Sequence, residues 1–225
     1  MLTEAIGGLL PSAVGVALSP VPVIAVILML GTPRARSNGT AFGLGWIVGL
    51  VVVAVVVLVL TDGASDADSA TDTGVSWGQV VIGVLFLLMA LRQWRTRPRG
   101  DAEPEMPTWM STIDSFTPVK SFAFGTLLSG VNPKNLALTA AAAASIAQVG
   151  LSAGGATVAV AVFVVLASLT VVGPVVVYLV AADRAAGALD SFKDFLSDHN
   201  TAIMIVVLVV LGVKLLGQGL GGVAT

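Results

Sequence analysis

Several apolar runs, Ala41 to Leu60 and Thr201 to Leu216 among them, are on the order of the roughly 20 residues that carry a helix across a bilayer's hydrocarbon core. Inside lipid there is no water to satisfy backbone N–H and C=O groups, and these runs lack the alternation of a barrel strand, so helices are the viable spanning form. The expected fold is an all-α integral membrane protein. Charge agrees with this, since only 11% of the 225 residues are charged, against roughly a quarter in a soluble domain.

Hydropathy places six spans near 4–31, 40–61, 77–94, 119–148, 152–181 and 200–219. The third is bracketed by Trp77 and Trp94, and at about 1.5 Å per residue the stretch between them reaches roughly 26 Å, with each tryptophan at an interface. The first charge of the chain is Glu4 and its opening apolar stretch contains prolines. That is unlike a basic, cleavable leader, so these residues are expected to belong to the mature chain.

Nine of the 11 Lys and Arg residues fall in the first, third and fifth connections. These are Arg34 and Arg36, then Arg92, Arg95, Arg97, Arg99 and Lys120, then Arg184 and Lys193. The second connection instead carries Asp62, Asp66, Asp68 and Asp72. The positive-inside rule makes the odd connections cytoplasmic and puts both termini outside, in the cell membrane. The polar stretch 95–118 splits the single transmembrane domain 1–225 into a first three-helix repeat, 1–94, and a second, 119–225. The first starts outside and the second inside, which is an inverted repeat, and such repeats hold substrate sites near the midplane where paired helices are interrupted.

Helices one and four carry such interruptions. One is Leu18-Ser19-Pro20-Val21-Pro22 and the other is Leu128-Ser129-Gly130-Val131-Asn132-Pro133-Lys134-Asn135. Proline removes a backbone donor and clashes with the preceding turn, so each cluster breaks its helix. Ser19 before Pro20 and Asn132 before Pro133 read as N-caps with proline at the first helical position. Two half-helices would then begin inside the membrane, their N–H groups and dipoles suited to an anion. Lys134 adds a formal charge there, at about 3 kcal/mol on insertion scales. No Asp or Glu lies in a helix core, which leaves backbone carbonyls, trapped water or a ligand's negative group as its partner. The candidate substrate-binding set is Ser19, Pro20, Pro22, Asn132, Pro133, Lys134 and Asn135.

At these residues the chain resembles the LysE superfamily of small six-helix exporters, which carry a proline-rich break in the first helix and an Asn-Pro-Lys motif in the fourth. Asn132-Pro133-Lys134 matches fully. Ser19-Pro20-Val21-Pro22 matches with Val21 where amino-acid exporters usually have Gly. Gly31, Arg34 and Arg36, followed by Gly39, Gly43, Gly45 and Gly49, also look like that superfamily. The charged stretch and the Val-rich and Ala-rich helices are similar to its actinobacterial GAP branch, the Sap or peptidoglycolipid addressing proteins. That branch implies export or localisation of envelope glycolipids, and the wider superfamily implies efflux of amino acids or ions. Thiol-redox and cadmium-exporting members of the superfamily use chemistry that a chain without cysteine or core carboxylates lacks.

Other features are assigned more modest roles. The glycines of helix two form a small-residue face suited to close packing, with a homodimer seam as another use. Gly173-Pro174 is expected to interrupt helix five and is a candidate hinge. Gln79, Ser168, Thr170 and Tyr178 are single polar groups expected to bond within the bundle. Lys214 is expected to snorkel as an anchor, and His199 to sit in a solvated loop. Trp109, Met110, Ile113 and Phe116 suggest a short interfacial segment in which Asp114 is a candidate gating residue. The chain has a single histidine and no cysteine, so neither a transition-metal site nor Ser-His chemistry is expected, and no cofactor, nucleic-acid partner or enzyme activity is assigned. The expected activity is export of an amphiphilic or anionic envelope molecule such as a lipid or glycolipid. Efflux of an amino acid or other small zwitterion is the alternative within transport, and a scaffold for an envelope-lipid export complex is the alternative outside it.

Overall fold

A computed structural model describes residues 1–65, 77–97 and 110–220, and nearly all of them are helical. In chain order the helices are α1 (Leu2–Ala17), α2 (Pro20–Leu30), α3 (Ala35–Ser65), α4 (Trp77–Arg95), a 3-10 turn (Met110–Ser115), α5 (Pro118–Gly130), α6 (Pro133–Gln148) and α7 (Ala153–Leu220). Asp66, Asp68 and Asp72 of the second connection, and residues 98–109 of the charged stretch with Trp109, lie outside the described residues.

Among the described residues three segments are long and apolar enough to cross a membrane: Ala35–Thr61, Ala153–Ala182 and Gly187–Leu220. The pair α1 and α2, bent by 52° at the break, makes a fourth if it counts as one span. The outward faces carry Val59, Leu60, Val165, Val180 and Val210, all exposed. Lipid, unlike water, imposes no hydrophobic cost on such a surface.

Both proline clusters end a helix where expected. α2 begins with Pro20 and α6 with Pro133, each in the first turn, where the missing N–H costs nothing. Gly173-Pro174 behaves differently from expectation. Helical backbone runs through Pro174, and the non-helical residue inside α7 is Ala181, with φ −146° and ψ 49°. A single proline in a membrane helix is tolerated where neighbouring groups re-satisfy the carbonyl it frees, and two prolines within three residues are not.

The fifth connection is also helical. α7 resumes as a limb running Gly187–Leu220, so His199 lies on a helix rather than in a loop, its Nδ1 2.9 Å from the Phe195 carbonyl one turn back and its ring stacked on Phe195. Lys193 pairs with Asp190 at 3.2 Å and with Asp194 at 3.4 Å on the outer side of this limb, which lets a charged stretch read as a connection continue the helix.

The glycines of α3 meet partners within the chain. A Cβ on Gly45 would collide with the Phe122 carbonyl, one on Gly49 with the Ser129 hydroxyl, and one on Gly125 of α5 with the Phe42 carbonyl. Thr126 Oγ1 donates to the Gly45 carbonyl across this seam at 3.0 Å. Backbones approach closely only where side chains are missing, so Gly45 and Gly49 serve the α3–α5 contact, while Gly39 faces Leu30 of α2 and Gly43 faces Val172 of α7. Gly83 of α4 and Gly212 of α7 meet in a similar way. The 3-10 turn is less interfacial than expected, since Ile113 is buried in the core and Asn38 Nδ2 donates to the Phe116 carbonyl at 3.0 Å. Asp114 is exposed.

Candidate functional site

The two breaks are held side by side by side chains that cross between them. A helix that stops inside the bundle leaves its last carbonyls without N–H donors, and these must be satisfied from elsewhere. At the end of α1, Val14 still receives the Leu18 N–H at 2.8 Å. The next carbonyls receive no such backbone donor. Lys134 Nζ donates to Gly15 O at 2.8 Å and, at a longer 3.5 Å, to Leu18 O. Thr170 Oγ1 of α7 donates to Ala17 O at 2.7 Å. Backbone carbonyls, one of the three kinds of partner open to Lys134, thus receive its ammonium in this structure. A cation at a helix C-terminus also meets the negative end of the helix dipole, which offsets part of the cost of burying it.

The second break is capped mainly from its own residues. Asn132 Oδ1 accepts the Lys134 backbone N–H at 3.1 Å, as expected of an N-cap. Val131 N–H and Asn132 N–H both return to the Leu127 carbonyl, at 2.9 and 3.2 Å. Asn135 Nδ2 reaches back to Leu128 O at 2.9 Å. Its Oδ1 accepts from Ser19 Oγ, also at 2.9 Å. Ser19 occupies the N-cap position of α2 with extended backbone, but its hydroxyl leaves its own helix uncapped in favour of Asn135.

Of the candidate residues, the structure thus brings Ser19, Lys134 and Asn135 together, with Asn132 holding the turn. Lys134 is 3% exposed and Asn135 fully buried. Pro20 and Pro22 are buried, while Pro133 is exposed. Gly173, Pro174 and Asp114 take no part in this cluster of bonds.

Beside the first break lies a cavity of about 450 Å³, lined by Ala17, Leu18, Ser19, Pro20, Val23 and Thr170 on one side and by Phe192, Phe195, Leu196, His199, Ala202, Ile203, Val206 and Val207 of α7 on the other. Its polar groups are few, and two of them, Ser19 and Thr170, already donate to protein acceptors. A second cavity of about 370 Å³ continues along the same seam between α1 and α7. The two share Leu18, Val206 and Val207, and the second adds Leu10, Pro11, Val14, Gly15, Val210 and Leu211. Lys134 lines neither, because the last turn of α1 stands between.

The α7 side of this groove was missed in the sequence, since Phe192, Phe195 and Leu196 sit among charged residues at a spacing that becomes one face only once the stretch is a helix. Thr170 was noticed, but its pairing with a carbonyl 153 residues away was not legible. Among the described residues no group of acidic, cysteine or histidine side chains is arranged to hold a metal. One protein family, described as Sap, sulfolipid-1-addressing protein, matches residues 9–221. No curated protein and no solved structure matches the chain.

Proposed function

Because the chain belongs to the family of Sap, the sulfolipid-1-addressing protein, we propose that it exports an amphiphilic cell-envelope molecule, a lipid or glycolipid, across the cell membrane. The observation that carries this reading is the apolar groove between α1 and the Gly187–Leu220 limb of α7, which runs from Phe192 and His199 at one end to Leu10 and Leu211 at the other. A small zwitterion needs an enclosed pocket with convergent polar groups. A Val- and Leu-lined groove between two helices suits an acyl chain instead.

In this reading the chain crosses the membrane six times, with α1–α2 and α5–α6 as broken spans and α7 supplying two. The halves 1–94 and 119–225 are inverted repeats of the LysE-superfamily kind, flanking the charged stretch 95–118. Support for the inversion comes from the paired breaks that meet at Ser19 and Asn135, and from Gly83 and Gly212, which belong to corresponding helices and face one another. The positive-inside rule then places the Phe192–His199 end of the groove at the cytoplasmic leaflet.

Mechanistically, the bonds between the breaks act as a latch. Lys134 holds the C-terminal turn of α1, and Asn135 the Ser19 cap of α2, against α6, and these residues form one wall of the groove. When one repeat rocks against the other, these bonds exchange, and the turn moves with its cavity. Lys134 here stabilises the closed latch, and its contact with a cargo head belongs to the released state. Asp114 near the inner end, and Gly173-Pro174 with Ala181 in α7, are the places where such a motion would be gated or absorbed.

Purified protein reconstituted alone into liposomes tests the proposal. It is expected to move a fluorescent short-chain glycolipid between leaflets faster than protein-free vesicles. Absence of movement favours a scaffold in a larger export complex, and movement of a labelled amino acid in its place favours small-solute efflux.

A further inference from the structure

A third cavity, of about 280 Å³, differs in character from the apolar groove. It lies where the N-terminal part of α1, the start of α4, the end of α6 and the last turns of α7 converge, and Gln79, Ser145, Gln148, Lys214 and Gln218 line it. Four helices thus send polar groups or backbone into one space. Lys214 is half-buried. It lines this space, its Nζ 3.5 Å from the Gly8 carbonyl, which is a long bond for a charged donor. The ion pairs among the described residues run from the N-terminus to Glu4 and from Lys193 to Asp190 and Asp194, and none reaches Lys214.

A cation with no counter-ion among the described residues, ringed by amides that both donate and accept, has the chemistry to take an anion with hydroxyl or ester oxygens around it. The cavity also adjoins the groove, for Leu211 lines both. We propose that this cavity binds the polar head of the exported amphiphile, that the head bears an anionic group such as a sulfate, phosphate or carboxylate, and that the apolar groove next to it takes the tail. This rests on the export reading above, and it assigns to Lys214 the head-group contact that Lys134, buried against the end of α1, does not make in this structure.

The test uses the full chain in lipid nanodiscs and two fluorescent probes, a sulfated galactosyl lipid and the same lipid without its sulfate. Wild-type protein is expected to bind the sulfated probe more tightly. Replacing Lys214→Gln is expected to weaken that probe about tenfold or more, with the uncharged probe changed less than about twofold. Lys214→Arg keeps the charge and is expected to retain the preference, which guards against misreading a folding defect, and Gln148→Ala is expected to weaken both probes to a similar, smaller degree. Equal loss of both probes in Lys214→Gln, or no loss of either, overturns the proposal. So does full displacement of the sulfated lipid by inorganic sulfate, because the site would then serve a free anion. If wild type binds with this preference and moves no lipid between leaflets, the export reading fails while the head-group site stands. If lipid moves normally in Lys214→Gln, the reverse holds.

Discussion

The two helix breaks look alike in sequence, each a polar residue followed by proline, yet they are stabilised in opposite ways. The break at Val131–Asn132 caps itself with Asn132, Asn135 and two backbone bonds to Leu127. The break at Leu18–Ser19 borrows its donors, since Lys134 serves Gly15 and Leu18 and Thr170 serves Ala17. One break is therefore a fixed frame and the other a dependent of it. A dependent break is the natural moving part, because its carbonyls are released whenever the donors step away, and it is also the break that walls the groove.

The largest effect is expected where one residue serves both breaks. Asn135→Leu leaves the Leu128 carbonyl and the Ser19 hydroxyl without partners and should lower stability by about 2–4 kcal/mol, measured by thermal unfolding in detergent. A cost no greater than that of Ser19→Ala, expected at about 1 kcal/mol, would deny Asn135 its double role. Next comes the asymmetry itself. The chain has no cysteine, so single reporters Leu18→Cys and Val131→Cys can be labelled without background. Adding Lys134→Met should raise labelling at position 18 about tenfold and leave position 131 within about twofold. Equal increases at both would make the two breaks equivalent. A smaller effect is expected from Asn132→Ala, at about 1 kcal/mol, with increased labelling at position 131 and little at 18. The smallest is Thr170→Val, about 0.5–1 kcal/mol, because it removes a single neutral hydrogen bond, to Ala17 O, and leaves the two Lys134 bonds to the α1 end in place.

How much of this was legible in the sequence varies with the range of the interaction. The proline breaks, the Asn132 cap and the close-packed glycines of α3 follow from local rules, in which a missing N–H or a missing Cβ has one main consequence. The pairing of Ser19 with Asn135, 116 residues apart, does not. Lys134 stood out as a buried charge, but a sequence does not say which groups will satisfy it, and the carbonyls of the C-terminal turn of α1 lie 119 and 116 residues away along the chain. Two further departures share a cause. Gly173-Pro174 stays helical, and His199 is helical rather than in a loop, because propensity and charge are weak guides where packing and the surrounding lipid leave helix as the cheapest way to satisfy the backbone.

Of all the tests, blocking the groove is the most direct. Val206 lines both apolar cavities and is exposed, so a larger side chain there is accommodated without overpacking the core. Val206→Trp in reconstituted vesicles should preserve the fold by thermal unfolding and slow the movement of a fluorescent glycolipid between leaflets by about tenfold, the scale of losing on the order of 1.4 kcal/mol along the path. Unchanged movement in a folded Val206→Trp protein would contradict the claim that lipid travels between α1 and α7.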